Sequence, residues 1–261
     1  MKGQIYSFIK TNGRTENQDY LFYEKKKFSD NEEITIFGVC DGMGGMEKGN
    51  EISRLTAWTF GAYFSRKILT AFAEEGSEIL SRRGMKTVLG GSISAVQKTI
   101  CAYMKEHKIS GGSTLTAAVI FGQNLLVANA GDSPCYLADT KTNYMELISE
   151  VENWGYEGLK KGIYTDKKSR EFARASSYLT NYIGGKKSKE INVRSLQVFP
   201  GNMVLMGSDG LFGILDDTEI LQELKCSSNE NALERIAARS AMQGETDNQS
   251  GILWIGADRQ H

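Results

Sequence analysis

The chain has 261 residues, 40% of them hydrophobic, enough to bury a sizeable core as one large domain or two small ones. Its 31 basic and 32 acidic residues leave a formal net charge of -1, so no basic excess points to nucleic acid or an anionic membrane surface. Four widely spaced cysteines without a CxxC pair argue for reduced thiols rather than a zinc site. No apolar stretch has the length of a membrane span, and residues 1–10 lack the apolar core of a signal peptide, so a cytoplasmic location is expected.

In chain order, the segment Gly13-Arg14-Thr15-Glu16-Asn17-Gln18-Asp19 comes first and is followed by an apolar run at 34–39 that predicts a strand. That run ends in Cys40-Asp41-Gly42-Met43-Gly44-Gly45. Apolar residues at helical spacing predict helices over 51–73 and 88–107, with Gly90-Gly91 weakening the start of the second. Runs at 117–121 and 125–128 predict a hairpin around Gly122-Gln123-Asn124, which leads into Gly131-Asp132-Ser133 and a strand at 135–138. Residues 144–185 are polar and charged and are expected to lie on the surface.

Strands at 191–199 and 203–206 follow, the latter ending in Gly207-Ser208-Asp209-Gly210. Helices over 217–224 and 232–242 and a strand at 251–255, just past Asp247-Asn248, complete the pattern. Short-loop strands with helix pairs inserted as blocks predict an α+β sandwich rather than a doubly wound parallel sheet.

Four aspartates, Asp41, Asp132, Asp209 and Asp247, therefore sit at strand ends. Any one Asp-Gly or Gly-Asp step is an ordinary turn signal. Four of them, three sharing the order of strand, small residues, then Asp, point beyond turns. Carboxylates that converge repel unless a cation sits among them, and hard oxygen ligands select Mg²⁺, Mn²⁺ or Ca²⁺. Arg14 beside such a cluster suggests an anionic substrate, because its planar fork grips phosphate through two parallel hydrogen bonds.

Taken in order, Arg14 to Asp19, Phe37 to Gly45, Gly111-Gly112-Ser113-Thr114, Val127 to Ser133, Leu205 to Leu211 and Asp247-Asn248 resemble the metal-dependent protein serine/threonine phosphatases of the 2C type. The resemblance spans about residues 11–256, and the Asp-Gly-Met-Gly-Gly form is similar to the bacterial branch. It implies one catalytic domain over 1–261: a central sandwich of two antiparallel sheets with helices on both outer faces and an atypical flap at about 144–185. It implies two tight Mg²⁺ or Mn²⁺ sites and no organic cofactor.

By resemblance, Asp41 bridges both metals and the Gly42 carbonyl binds one of them. Asp209 and Asp247 are ligands of the other, and Asp19 is the N-terminal ligand. Asp132 matches a weaker third site, and Arg14 binds substrate phosphate. The implied reaction is attack on a phosphoserine or phosphothreonine ester by a water that two metals activate. The implied partner is a phosphoprotein made by a serine/threonine kinase, with no nucleic acid or membrane involved and a monomer expected.

Departures accompany the match. Met43 stands where animal members carry histidine, and Met46 where many bacterial members do; His107 and His261 lie elsewhere in the chain. Gln18 replaces a glutamate of some members, Pro134 replaces an arginine, and Ser149 to Trp154 replaces an Asp-His-Ser segment. A phosphatase-fold regulatory or binding module with weak or no catalysis is the alternative reading, and a hydrolase of small phosphoesters a third.

Overall fold

The computed structural model describes residues 2–30, 32–43, 48–186, 189–226 and 229–257. Among these residues ten strands form two antiparallel sheets. One sheet orders β1 (Gly3–Lys10), β10 (Gln249–Gly256), β9 (Met203–Gly207), β6 (Cys135–Asp139) and β7 (Tyr144–Leu147). The other orders β2 (Asp19–Lys27), β3 (Glu33–Asp41), β4 (Leu115–Phe121), β5 (Asn124–Ala130) and β8 (Val193–Gln197). The α+β sandwich expected from the sequence is thus present.

The inner faces meet through a core that includes Phe37, Val39, Val127, Met206, Ile252 and Trp254, all at most 1% exposed. Strands β3, β4 and β9 are buried along almost their whole length, since helices cover the outer faces as well. Their near-continuous apolar runs made them readable. Strands β1 and β2 lie at sheet edges and were not expected, because β2 ends in the exposed stretch Glu24-Lys25-Lys26-Lys27. Between β4 and β5, Phe121 pairs with Asn124, so the turn is the two residues Gly122-Gln123 and not three. Gly122 takes φ +53°, the left-handed value such a tight turn requires.

Helices α1 (Gly49–Glu75) and α2 (Arg82–His107) cover the second sheet. In α1, Ile52, Thr56, Phe60, Phe64 and Ile68 recur every fourth residue and form the buried stripe. Helix α2 starts six residues before the expected position, at Arg82, where the Ser81 side chain accepts from Gly84 N at 3.1 Å. Gly90-Gly91 lies within that helix, where packing on α1 and β8 outweighs the low helix propensity of glycine. Helices α5 (Asp209–Phe212), α6 (Asp217–Lys225) and α7 (Ala232–Met242) pack on the first sheet through Leu211, Phe212, Ile220, Leu233 and Ile236.

The segment expected to be polar surface has structure of its own. After β7 come α3 (Trp154–Lys160) and α4 (Arg170–Ser176), with N-termini capped by the Asn153 and Ser169 side chains. Phe172, 3% exposed, is their common anchor, with ring centroids 5.7 Å from Tyr156 and 6.1 Å from Tyr164. A single aromatic anchoring two short helices leaves too few apolar residues for helical periodicity to show. This flap leans over the ends of the strands that carry the aspartates.

Candidate metal centre and catalytic cleft

Each sheet brings two carboxylates to the same end of the sandwich. In the second sheet, Asp19 opens β2 and Asp41 closes β3, and the two are paired directly across the strands. Like charges placed opposite each other destabilise a sheet unless a cation lies between them. From the first sheet come Asp209, the first residue of α5 just past β9, and Asp247, two residues before β10. Asp132 enters from the β5–β6 turn.

A cleft of about 450 Å³ is lined by Arg14, Asp41, Gly42, Asp132, Asp209 and Asp247, together with Met43 and Thr114. Asp19 does not line it; it lies beneath, 6% exposed. All the residues singled out in the sequence thus meet at one place.

The electrostatics are those of crowded anions. Burial first, and then Asp19, Asp209, Asp132 and Asp247, raise the Asp41 carboxyl well above its ordinary range. Burial likewise raises Asp19. Asp209 is exposed to the cleft, where the surrounding protein's desolvation, followed by Asp132 and Asp247, pushes it up to about 8. Desolvation brings Asp132 to about 6, with a hydrogen bond from Asn153 acting in the opposite direction.

Asp19 Oδ2 accepts from Ser250 Oγ at 2.6 Å, while Asp19 Oδ1 is buried without a donor among the described residues. A buried, unpartnered carboxylate oxygen among four further carboxylates is a hard-oxygen donor set in need of positive charge. It fits Mg²⁺ or Mn²⁺. Among the described residues no three acidic, cysteine or histidine side chains form a ready-made ligand group. Arg14 holds Asp247 through Nε at 2.9 Å and a terminal nitrogen at 2.6 Å.

The scaffold around the carboxylates is fixed by close contacts. Gly42 N donates to Gln18 O at 3.0 Å, and a Cβ at Gly42 would lie 2.6 Å from both Gln18 O and Gly49 O, so no larger residue fits. Asp41 N donates to Thr114 Oγ1 at 2.9 Å, and Thr114 N returns a bond to Asp41 O at 2.8 Å. Gln18 turns its side-chain amide towards Gly49 at the start of α1.

Several contributors were named in the sequence only within motifs, with no role of their own. Asn248 Nδ2 donates to Thr11 O and Glu16 O, and its Oδ1 accepts from Gln18 N, strapping the Arg14 loop to β10. Asn153 Nδ2 donates to Asp132 Oδ2 at 2.9 Å. Glu152, 8% exposed, accepts from Gly131 N at 3.0 Å and Asn181 Nδ2 at 2.8 Å. Buried Asn and Glu in a polar stretch were the available signal, since such residues stay buried only when hydrogen-bonded.

Met43 lines the cleft, while Met46 and His261 lie outside the described residues. His107 is exposed at the end of α2, its ring centroid 4.1 Å from that of Tyr103. No helix among the described residues is long and apolar enough to cross a membrane.

The family model for protein phosphatase 2C matches residues 6–150, more than half of the 261. The serine/threonine phosphatase Stp of Listeria welshimeri is 28% identical over 228 residues, covering 86% of this chain and 84% of that protein. The crystal structure of Stp1 from Staphylococcus aureus superposes with a TM-score of 0.81 at 19% identity, over 99% of this chain and 96% of that one. The catalytic domain of the phosphatase PstP in complex with 2 manganese ions gives 0.75 at 21% identity, over 98% and 99%. The chain belongs to the protein phosphatase 2C family and is a metal-dependent protein serine/threonine phosphatase.

Proposed function

We propose that Asp19, Asp41, Asp209 and Asp247, with the Gly42 carbonyl, hold two Mg²⁺ or Mn²⁺ ions, with Asp41 common to both. Asp132, turned by Asn153, borders a weaker third site. The observation that carries this reading is the buried, unpartnered Asp19 Oδ1 facing a cluster of carboxylates from both sheets. The 2 manganese ions of the PstP complex support it. Bound in such a site, divalent ions lower the pKa of water towards neutrality and draw charge from the phosphoryl oxygens.

The chain's own residues do the rest. Arg14, released from Asp247, offers its fork to the equatorial oxygens of the phosphate, where charge is spread in the transition state. Thr114 fixes the backbone of Asp41, and Ser250 fixes Asp19. The flap residues Ser176, Ser177 and Leu179 wall the cleft on the side where the rest of the phosphoprotein must leave.

The substrate in this reading is a phosphoserine or phosphothreonine protein made by a serine/threonine kinase, and the chain works as one cytoplasmic monomeric domain. Four unpaired cysteines, two of them buried, suit a reducing compartment. The test is Mn²⁺-dependent phosphate release from para-nitrophenyl phosphate and from a phosphothreonine peptide. Asp209→Asn is expected to lose at least about a hundredfold in kcat on both. Tight phosphopeptide binding with no turnover at any Mn²⁺ concentration would instead identify a binding module.

A further inference from the structure

We propose that a second cavity, continuous with the catalytic cleft and roofed by the flap, receives a bulky apolar side chain next to the phosphoresidue of the substrate; this rests on the phosphatase reading above. The cavity measures about 450 Å³ and shares Asp132, Asp209, Ser176 and Ser177 with the cleft. A peptide whose phosphate sits among the aspartates therefore has this cavity directly beside it. Its floor is Tyr136 of β6 and Phe212 of α5, edge to face at 5.8 Å. Its roof is Tyr156 of α3 and Phe172 of α4, and Val151 and Ile214 add further apolar walls.

Charge decides the class of occupant. Lys168 is engaged by Asp216 at 3.1 Å and Glu219 at 3.6 Å, and Lys167 lies over the Tyr156 ring at 5.2 Å. Asp132 and Asp209 are taken up by the proposed metal sites, and the remaining carboxylate, Glu245, opposes an acidic guest. Aromatic walls with engaged cations and an anionic border suit phenylalanine or leucine, and disfavour a second phosphate or an acidic residue. Because Phe172 and Tyr156 belong to the flap, whose sequence departs from the family pattern, this selectivity belongs to this chain and not to the shared metal site.

The experiment compares phosphothreonine peptides that differ only in Phe, Ala or Asp flanking the phosphoresidue, beside para-nitrophenyl phosphate, which carries no flanking residue. The Phe peptide is expected to exceed the Ala peptide by about 10- to 100-fold in kcat/KM, mostly through KM, with the Asp peptide lowest. Ala173→Trp, which fills the cavity, and Ile214→Ser, which strips an apolar wall, should each bring the Phe peptide down to the Ala level. Both should leave para-nitrophenyl phosphate turnover unchanged.

Equal kcat/KM for the three peptides in the wild type, or a Phe preference that survives both substitutions, would overturn the proposal. Absence of all turnover would strike the phosphatase reading instead. Fluorescence anisotropy with the same peptides then reads the cavity alone: tighter binding of the Phe peptide upholds it, and equal binding rejects it.

Discussion

Arg14 and Asp247 grip one another through two hydrogen bonds, yet their side chains are 51% and 40% exposed. An ion pair that open to solvent contributes about 0–1 kcal/mol, so substrate phosphate can take the guanidinium from Asp247 at little cost. Arg14→Ala should then raise KM for a phosphopeptide about tenfold with a smaller loss in kcat, because the contact forms in the ground state. The same substitution removes a cation from beside a proposed metal ligand, so Mn²⁺ affinity measured by titration calorimetry should hold or rise. A fall in Mn²⁺ affinity would mean that Arg14 supports the metal site rather than the substrate. At this scale the sequence was eloquent about the aspartates, since glycine and Asp at strand ends leave a local trace. It said nothing of the Arg14–Asp247 pair, whose members are 233 residues apart and meet only in the folded chain.

Among the elements, the flap is the part whose attachment rests on polar groups. Glu152 binds the Gly131 amide, the Asn181 side chain and, at 3.6 Å, Lys189, joining the two ends of the flap to the turn that presents Asp132. Glu152→Ala would leave two buried donors unpaired, a cost of about 1–3 kcal/mol each. The expected outcome is faster hydrogen exchange across residues 150–185 and weaker peptide turnover, with a smaller effect on exchange in β3 and β4. Unchanged flap exchange would show that Phe172 and the backbone pairing of Ile183 with Ser113 hold the segment without Glu152.

The legibility of the elements follows their packing. Strands buried on both faces and helices with a stripe such as Ile52 to Ile68 advertise themselves through apolar runs and periodicity. Edge strands β1 and β2 and the short flap helices bury few residues, so the same signals are diluted below recognition. The early start of α2 was hidden in Arg82-Arg83-Gly84, a stretch made helical by the Ser81 cap and not by any apolar spacing.

For the whole molecule, the carboxylates couple the two sheets. Asp19 and Asp41 belong to one sheet and Asp209 and Asp247 flank strands of the other, so an ion shared among them, as proposed, would close the end of the sandwich that like charges push apart. Without it, repulsion acts across the same interface that Trp254 and Phe37 pack. Binding of an ion to the folded state alone stabilises it by about 2.7 kcal/mol at a hundredfold excess over Kd. For a chain of this size that corresponds to roughly 5–10 °C in Tm. Mn²⁺ is therefore expected to raise Tm by about that amount and to slow hydrogen exchange at the ends of β2, β3 and β10 together, and EDTA to reverse both. Asp41→Asn removes the carboxylate nearest the others, so its metal-free form should melt above the metal-free wild type while its gain from Mn²⁺ largely disappears. Asp132→Ala, which alters only the proposed weaker third site, should keep most of the gain. An Asp41→Asn variant that gained as much from Mn²⁺ as the wild type would show that the ion binds elsewhere and that the sheets are held by their apolar interface alone.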